Sequence, residues 1–135
     1  MMIYNVSSLG VADANRMVSY TELEVWIEAR KSVNEIYVIS KEFPKEEIYG
    51  PTNQMRRCAV SVPSNIAEGC GRKTSKDTQY FLHVSRGSLY ELETQLYVSS
   101  DQKYISVATF TDVHERIQIC KRLLNGFINY YKTIQ

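Results

Sequence analysis

A helical apolar pattern that continues through an internal proline is the feature that most constrains the fold of this chain. Five apolar side chains recur at steps of three and four residues and so share one helix face: Met55, Cys58, Ala59, Val62 and Ile66. Val60, Pro63 and Ala67 widen this face to an arc of about 200°, taking about 100° per residue. Because one packing partner needs a narrower arc, the pattern predicts a helix at the centre of its domain or against a second subunit.

Capping and stop residues indicate where the first two helices begin and end. Thr21–Glu24 has the Ser/Thr-x-x-Glu form of a capping box. Pro44 disfavours helical backbone in the residue before it, which predicts the end of the first helix there. Gly50–Pro51 predicts the start of the second helix, because the first helical turn does not need the N–H that proline lacks. Pro63 predicts a kink in this helix, and Gly69 predicts its stop.

The third and fourth helices are predicted by coiled-coil-like seams, in which core-type residues alternate at steps of three and four. The seam of the third helix is Leu82, Ser85, Leu89, Leu92, Leu96 and Ser99. The seam of the fourth helix is Val113, Ile117, Cys120, Leu124, Phe127 and Tyr131. Thr74 or Ser75 can cap the third helix, and Thr109 or Thr111 can start the fourth. Gly87 in mid-helix costs about 1 kcal/mol against alanine, so we expect another backbone to approach it closely.

These four segments predict an all-α fold. No segment has the length and alternation of a convincing strand, and short connections between long amphipathic helices favour an antiparallel up-down-up-down four-helix bundle. We interpret residues 20–135 as a single four-helix bundle domain and expect residues 1–19 to be a mobile N-terminal extension.

Composition argues against a uniformly charged or membrane-spanning protein. The formal net charge of +1 gives no global field toward nucleic acid or membrane, so any such contact must come from a local patch. No apolar run approaches the roughly 20 residues that cross a bilayer. The three cysteines lie far apart without a Cys-x-x-Cys spacing, and an odd count without a convincing signal peptide indicates reduced thiols and a cytoplasmic protein.

The residue spacings indicate neither metal nor catalytic chemistry. His83 and His114 have no second ligand three or four residues away, as a transition-metal pair on one helix needs. Gly69–Lys73 brings glycines next to two cations but lacks the Gly-Lys-Ser/Thr order of a phosphate loop. We therefore predict a non-enzymatic protein without a metal or another cofactor.

Arg86 and Glu93 are candidates for a structural ion pair. They lie on the third helix, Glu93 two turns after Arg86, and both border the leucine seam. A partly buried charge needs a partner, so we predict that they form an ion pair or network that fixes the register of the helices.

The candidate nucleic-acid contacts are basic residues along the second helix and the turn after it. Over residues 56–77, five cations outnumber Glu68 and Asp77: Arg56, Arg57, Arg72, Lys73 and Lys76. This local excess predicts contact with nucleic acid. Within it, Gly69–Lys73 predicts a flexible basic corner for phosphate contacts, whereas the alternative interpretation of that segment is a helix stop and a solvated turn. Tyr90 and Tyr97, two of ten tyrosines, suit stacking on bases, and they equally suit the edge of a core or a subunit interface.

Three motifs in this order resemble one family of small bacterial proteins. The motifs are Leu23-Glu24-Val25-Trp26, the segment 56–69, and Arg86-Gly87-Ser88-Leu89-Tyr90-Glu91-Leu92-Glu93-Thr94-Gln95-Leu96. From Tyr20 to Tyr131 the chain is similar to the four helix bundle proteins that are encoded within intervening sequences of 23S ribosomal RNA genes.

The resemblance implies a ring-shaped homo-oligomer, with a pentamer as the expected state. A related accessory protein of diversity-generating retroelements uses such a ring and a basic surface to engage a reverse transcriptase and nucleic acid. By that likeness we expect an oligomeric accessory factor that contacts RNA or DNA, or a protein partner such as a nucleic-acid enzyme. The alternative is a structural, protein-binding scaffold without nucleic-acid contact, and neither function involves a membrane.

Overall fold

Four long helices make up most of the described chain. The computed structural model describes residues 19–134, so the predicted extension lies outside it except for Ser19. The helices are α1 (Glu24–Ser40), α2 (Asn53–Cys70), α3 (Ser75–Asp101) and α4 (Val107–Thr133). They are accompanied by 3-10 turns at Tyr20–Glu22 and Lys45–Glu47 and by a π-helical turn at Ile48–Thr52. No strand occurs within residues 19–134, which confirms the predicted all-α class.

Neighbouring helices run antiparallel to each other. In the middle of α2, the Val62 carbonyl accepts a hydrogen bond from Ser85 of α3 at 2.8 Å. At the end of α2, the Gly69 carbonyl accepts one from Thr78, near the start of α3, also at 2.8 Å. The same reversed order joins α3 to α4 through Ser75–Tyr131, Arg86–Asn125 and Glu93–Lys121. Because α1 packs between α2 and α4, the helices form the up-down-up-down bundle that the sequence predicts.

The seam residues that the periodicity predicts make up much of the core, together with α1 residues such as Val25, Ala29 and Ile36. Every member of the α3 and α4 seams is buried, and so are the five apolar residues that define the face of α2. Pro63 is also buried, and α2 continues through it. Val60 remains 39% exposed, so the wide apolar arc of α2 emerges from the bundle on its outer side.

Small residues bring α2 and α3 close together. A Cβ added to Gly69 would lie 3.2 Å from the Phe81 Cβ and 3.2 Å from the Thr78 carbonyl oxygen, tighter than ordinary van der Waals contact. The close approach expected at Gly87 is wrong, because a Cβ there would meet nothing within 4 Å. The reason is register: Gly87 is exposed, whereas Ser88 beside it faces α2 and shares a 2.8 Å hydrogen bond with a serine of that helix.

The starts of two helices differ from the sequence prediction. The capping box is formed by Ser19 and Glu22 on the first 3-10 turn, and α1 begins after this turn. The second helix starts at Asn53, because the backbone of Gly50, with φ −123° and ψ −115°, interrupts the helical path just before Pro51.

The remaining helix boundaries lie near the predicted positions. α1 ends at Ser40, before Pro44, and α2 ends one residue after Gly69. Thr74 caps α3 as predicted, since its hydroxyl accepts the N–H of Asp77 at 3.1 Å. The start of α4 is capped by Ser106 rather than by either predicted threonine, because the chain enters the helix three residues earlier than Thr109.

Candidate nucleic-acid interface

The five predicted basic residues fall into two groups at opposite ends of α2. Arg56 and Arg57 lie in its first turns, whereas Arg72, Lys73 and Lys76 lie at the turn into α3 and in its first turn. At about 1.5 Å per residue, the length of α2 separates the two groups by about 20 Å. One subunit therefore does not gather all five side chains into one patch, and only the second group belongs to the basic corner that the sequence predicts at the end of α2.

The contacts of Arg56 are mainly structural. Its Nε donates to the Ser40 hydroxyl at 2.8 Å, and its guanidinium carbon lies 5.0 Å from the centroid of the Tyr37 ring. Both contacts hold the start of α2 against the end of α1. Arg57 is exposed and lies in a shallow depression with Glu91 of α3, and this carboxylate weakens any attraction for phosphate.

The second basic group lies on a surface that we call the α2–α3 corner, defined by Arg72, Lys73, Lys76, Tyr80 and Lys132. Lys73 and Lys76 are exposed, and the Tyr80 side chain is 63% exposed beside them on the first turns of α3. Glu68 and Asp77 are the carboxylates that adjoin these cations in the chain. The corner therefore combines positive charge with an accessible aromatic ring. Proteins that bind single-stranded nucleic acid use these two features to contact the phosphates and to stack on the bases.

Arg72 is the most constrained cation of the corner. Its Nη2 donates to the Glu68 carboxylate at 2.7 Å, and its guanidinium carbon lies 4.5 Å from the centroid of the Phe81 ring. Tyr80 meets the Phe81 ring edge-on, with 5.1 Å between the ring centroids. Arg72 is thus part of the packed structure, and not the loosely attached turn residue that the glycine-rich sequence suggests.

Packing of α4 against α3 adds Lys132 to the corner. The Tyr131 carbonyl accepts hydrogen bonds from the Ser75 hydroxyl at 2.7 Å and the Gln79 amide at 3.2 Å. Lys132 follows in the last turn of α4. Sequence reasoning missed this cation because it is far along the chain from the others. The predicted up-down topology could have indicated it, because that topology places the end of the fourth helix beside the start of the third.

Arg86 and Glu93 do not pair with each other. Glu93 accepts a hydrogen bond from the Lys121 ammonium at 3.1 Å and lies 3.0 Å from Nε2 of His114. Arg86 instead donates to the Asn125 side chain at 3.0 Å. Two helical turns, about 10 Å along the axis, separate the two residues, so each reaches a different level of α4. The predicted direct pair is wrong, whereas Glu93 does lie in a network that joins two helices.

Two titratable groups on this side of the bundle have displaced pKa values. Burial alone would raise the pKa of Glu93, but hydrogen bonds, of which that from Lys121 is the largest, hold it below its usual 4.5. Burial lowers the pKa of His83 below its usual 6.5, and the positive charges of Arg86 and Lys132 lower it further. The His83 imidazole is therefore mainly neutral near pH 7 and adds little charge next to the corner.

All three cysteines are free and buried. Burial raises the pKa of Cys58 and Cys70 to about 12, with a smaller contribution from Glu91 at Cys58, and it also raises the pKa of Cys120. Such thiols stay protonated near neutral pH and are poor nucleophiles. Within residues 19–134, no three His, Cys, Asp or Glu side chains are grouped as metal ligands. No helix of that part of the chain has the length and apolar character to cross a membrane.

Comparison with known proteins identifies the family. Residues 21–126 match the family model described as 23S rRNA-intervening sequence protein. The chain belongs to this family. The matched range contains the three motifs of the sequence resemblance and most of the bundle, so it confirms the family relationship that those motifs indicate.

One solved structure shares the fold of this 23S rRNA-intervening sequence protein. It is a protein of unknown function from the S23 ribosomal protein family of Bacteroides thetaiotaomicron, and it aligns with a TM-score of 0.72 at 18% sequence identity. The alignment covers 77% of this chain and 97% of that chain. At this identity the likeness establishes a common fold and nothing about binding. No curated protein matches the chain.

Proposed function

We propose that this 23S rRNA-intervening sequence protein is a non-enzymatic, cytoplasmic accessory factor of a ribonucleoprotein that contacts RNA or DNA through the α2–α3 corner. The observation that carries the proposal is the exposed Tyr80 ring beside the exposed Lys73 and Lys76, with the end of α4 packed against the start of α3. Clustered Lys and Arg attract phosphates and release their counterions. Bases stack on an accessible aromatic ring. No sequence-specific reading is expected from such contacts.

Repetition of the corner in an oligomer strengthens the proposed binding. One corner binds weakly, because Glu68 and Asp77 offset part of its positive charge. The family resemblance suggests a ring of identical subunits, with a pentamer as the proposed state. Symmetry would repeat the corner around that ring, and linked sites gain avidity without any new contact.

An apolar groove between α1 and α2 supports self-association. Most of its lining is apolar, and Arg30 and Ser64 add polar groups. The apolar residues are Tyr20, Trp26, Val33, Val60, Pro63 and Ala67. A contiguous apolar surface is unusual on a soluble monomer and marks an interaction site. We propose that a second copy of the chain covers this groove. Native mass spectrometry at micromolar concentration tests this, and a dominant species of 15.6 kDa would contradict it.

The nucleic-acid proposal is tested by binding to a single-stranded RNA at several salt concentrations. We expect weak binding that depends on salt. A plot of the logarithm of the association constant against the logarithm of salt concentration should have a slope of about −0.7 per phosphate contact. Lys73→Glu combined with Lys76→Glu should weaken binding and flatten this slope. Both side chains are exposed, so helicity and oligomeric state should not change.

Lys41→Glu with Lys45→Glu is the matched control. It makes the same charge change at exposed positions beyond the end of α1, at the opposite end of the bundle. If both double variants weaken binding equally, the contact is not at the corner. If the wild-type protein binds neither RNA, single-stranded DNA nor duplex DNA at low salt, the nucleic-acid proposal fails. The protein-binding scaffold, which the α1–α2 groove favours, then becomes the better function.

A further inference from the structure

A cavity of about 390 Å³ lies at the end of the bundle opposite the α2–α3 corner. Its walls come from the π-helical turn, the start of α2, the end of α3 and the turn that leads into α4. Pro51, Met55 and Val98 supply apolar surface, and Glu47 and Gln95 supply polar groups. Apolar walls with a few polar groups are the usual composition of a small-molecule site.

The side-chain carbonyl of Gln95 lacks a hydrogen-bond donor. Its Oε1 is buried and has no partner among the described residues, although the amide nitrogen of the same side chain donates to Glu91 at 3.4 Å. Buried acceptors in proteins normally have a donor. This atom has less than 1 Å² of accessible surface, so a ligand N–H group would complete its hydrogen bond only after the Gln95 side chain turns toward the cavity.

Glu47 gives the cavity a negative charge. The Tyr104 hydroxyl lies near its carboxylate, and burial together with the charges of Glu47 and Glu46 raises the pKa of Tyr104, so this hydroxyl stays protonated. An ionised carboxylate accepts several hydrogen bonds, so Glu47 retains capacity for another donor. Among the described residues that line the cavity, none is a Lys, Arg or His. The carboxylate thus has no cation inside the cavity.

We propose that this cavity binds a small organic cation, namely a primary ammonium group on an apolar alkyl or aryl stem. The ammonium donates to Glu47 and to the Gln95 carbonyl, and the stem lies against Pro51, Met55 and Val98. An anion would be repelled by the carboxylate, and a molecule without N–H or O–H groups would leave the Gln95 acceptor unpaired. This site does not depend on the proposed nucleic-acid contact, because it lies at the other end of the bundle.

The proposal is tested by titrating the full-length, ¹⁵N-labelled protein with three probes of similar size. The probes are 2-phenylethylamine, which is cationic at pH 7, neutral 2-phenylethanol, and anionic 3-phenylpropionate. We expect saturable ¹H–¹⁵N shifts with the amine, at the Gln95 side-chain amide and at residues 47–51. Loss of the charged hydrogen bond should weaken binding of the alcohol by about tenfold, and the anion should cause no saturable shift.

Two variants separate this site from general attraction of cations to the protein. Glu47→Gln should weaken binding of the amine by about tenfold. Glu46→Gln, the matched control, removes the charge of an exposed neighbour that does not line the cavity and acts on Tyr104 only through space, so it should weaken binding much less than Glu47→Gln. Circular dichroism checks that both variants remain folded. The proposal is overturned if all three probes bind equally, if the amine gives no saturable shift, or if both variants weaken binding to the same extent.

Discussion

Replacement of Glu93 by alanine should destabilise the bundle far more than replacement of an exposed glutamate. The Glu93 side chain is 18% exposed and its partner Lys121 is 23% exposed, so water screens their interaction only partly. Removing one partner of a fully buried pair costs about 3–5 kcal/mol, and a hydrogen bond to a charged group contributes about 1.5–3 kcal/mol. Allowing for the partial exposure, we expect Glu93→Ala to lower the free energy of unfolding by about 2 kcal/mol. For a domain of this size, that change lowers Tm by about 6 °C.

Thermal melts followed by circular dichroism measure this effect, with protein concentration held constant because association shifts Tm. Glu115→Ala, an exposed position on α4, is the control and should change Tm by no more than about 1 °C. The reasoning is refuted if both variants lower Tm equally at pH 7.

The pH dependence gives a second check on the same residue. The folded-state pKa of Glu93 lies below its usual 4.5. Its ionised form therefore stabilises the folded state above pH 4.5, and this contribution is lost as the pH falls through the folded-state value. The difference in Tm between the wild type and Glu93→Gln should accordingly shrink between pH 7 and pH 3. A difference that persists at pH 3 would mean that side-chain packing, and not charge, stabilises the helix pair.

Three further predictions follow from local geometry. An NMR titration should give His83 a midpoint below pH 6.5. Arg86→Gln should raise this midpoint toward 6.5, because it removes one of the positive charges that lower the pKa of His83; a wild-type midpoint at or above 6.5 would contradict this. Gly69→Ala should lower stability by about 1 kcal/mol, because the methyl group would lie 3.2 Å from the Phe81 Cβ and the Thr78 carbonyl oxygen, so α3 would have to shift by a few tenths of an ångström. Gly87→Ala should raise stability by about 0.5–1 kcal/mol; equal melting shifts would contradict the packing argument. Cys70 should react with iodoacetamide far more slowly at pH 8 in the native protein than in denaturant, since its pKa is raised to about 12; equal rates would show an accessible thiolate.

Periodicity was enough to predict the buried faces of α2, α3 and α4, because residues at steps of three and four lie on one side of a helix. Leu89 and Ile117 repeat with their neighbours at steps of three and four, and both are completely buried. Helix starts were less predictable, because several residues near each start have capping side chains. The choice between Ser106 and Thr109 depends on the path by which the chain enters the helix, and that path is set by tertiary packing.

The candidate site was less predictable than the fold because its contacts join residues that are distant in the chain. From the sequence we predict that Glu93 pairs with Arg86 of the same helix. In the structure its partner is Lys121, which lies on α4. Lys132 was missed at the corner for the same reason. Spacing within one helix shows which side chains share a face, but it does not show which side chains of another helix lie opposite that face.

The length of α3 has a consequence for how the two proposed sites can communicate. This helix has 27 residues, about 40 Å at 1.5 Å per residue, and it runs from the corner at its start to the cavity near its end. Ligands at the two ends cannot touch, so any coupling between them must pass through the helices that reach both ends, such as α3, and it would be equal in both directions. The contact between Glu93 and Lys121 lies between the two sites, where it opposes sliding of α3 along α4. Weakening that contact should therefore change the coupling free energy between the sites more than it changes the affinity of either site.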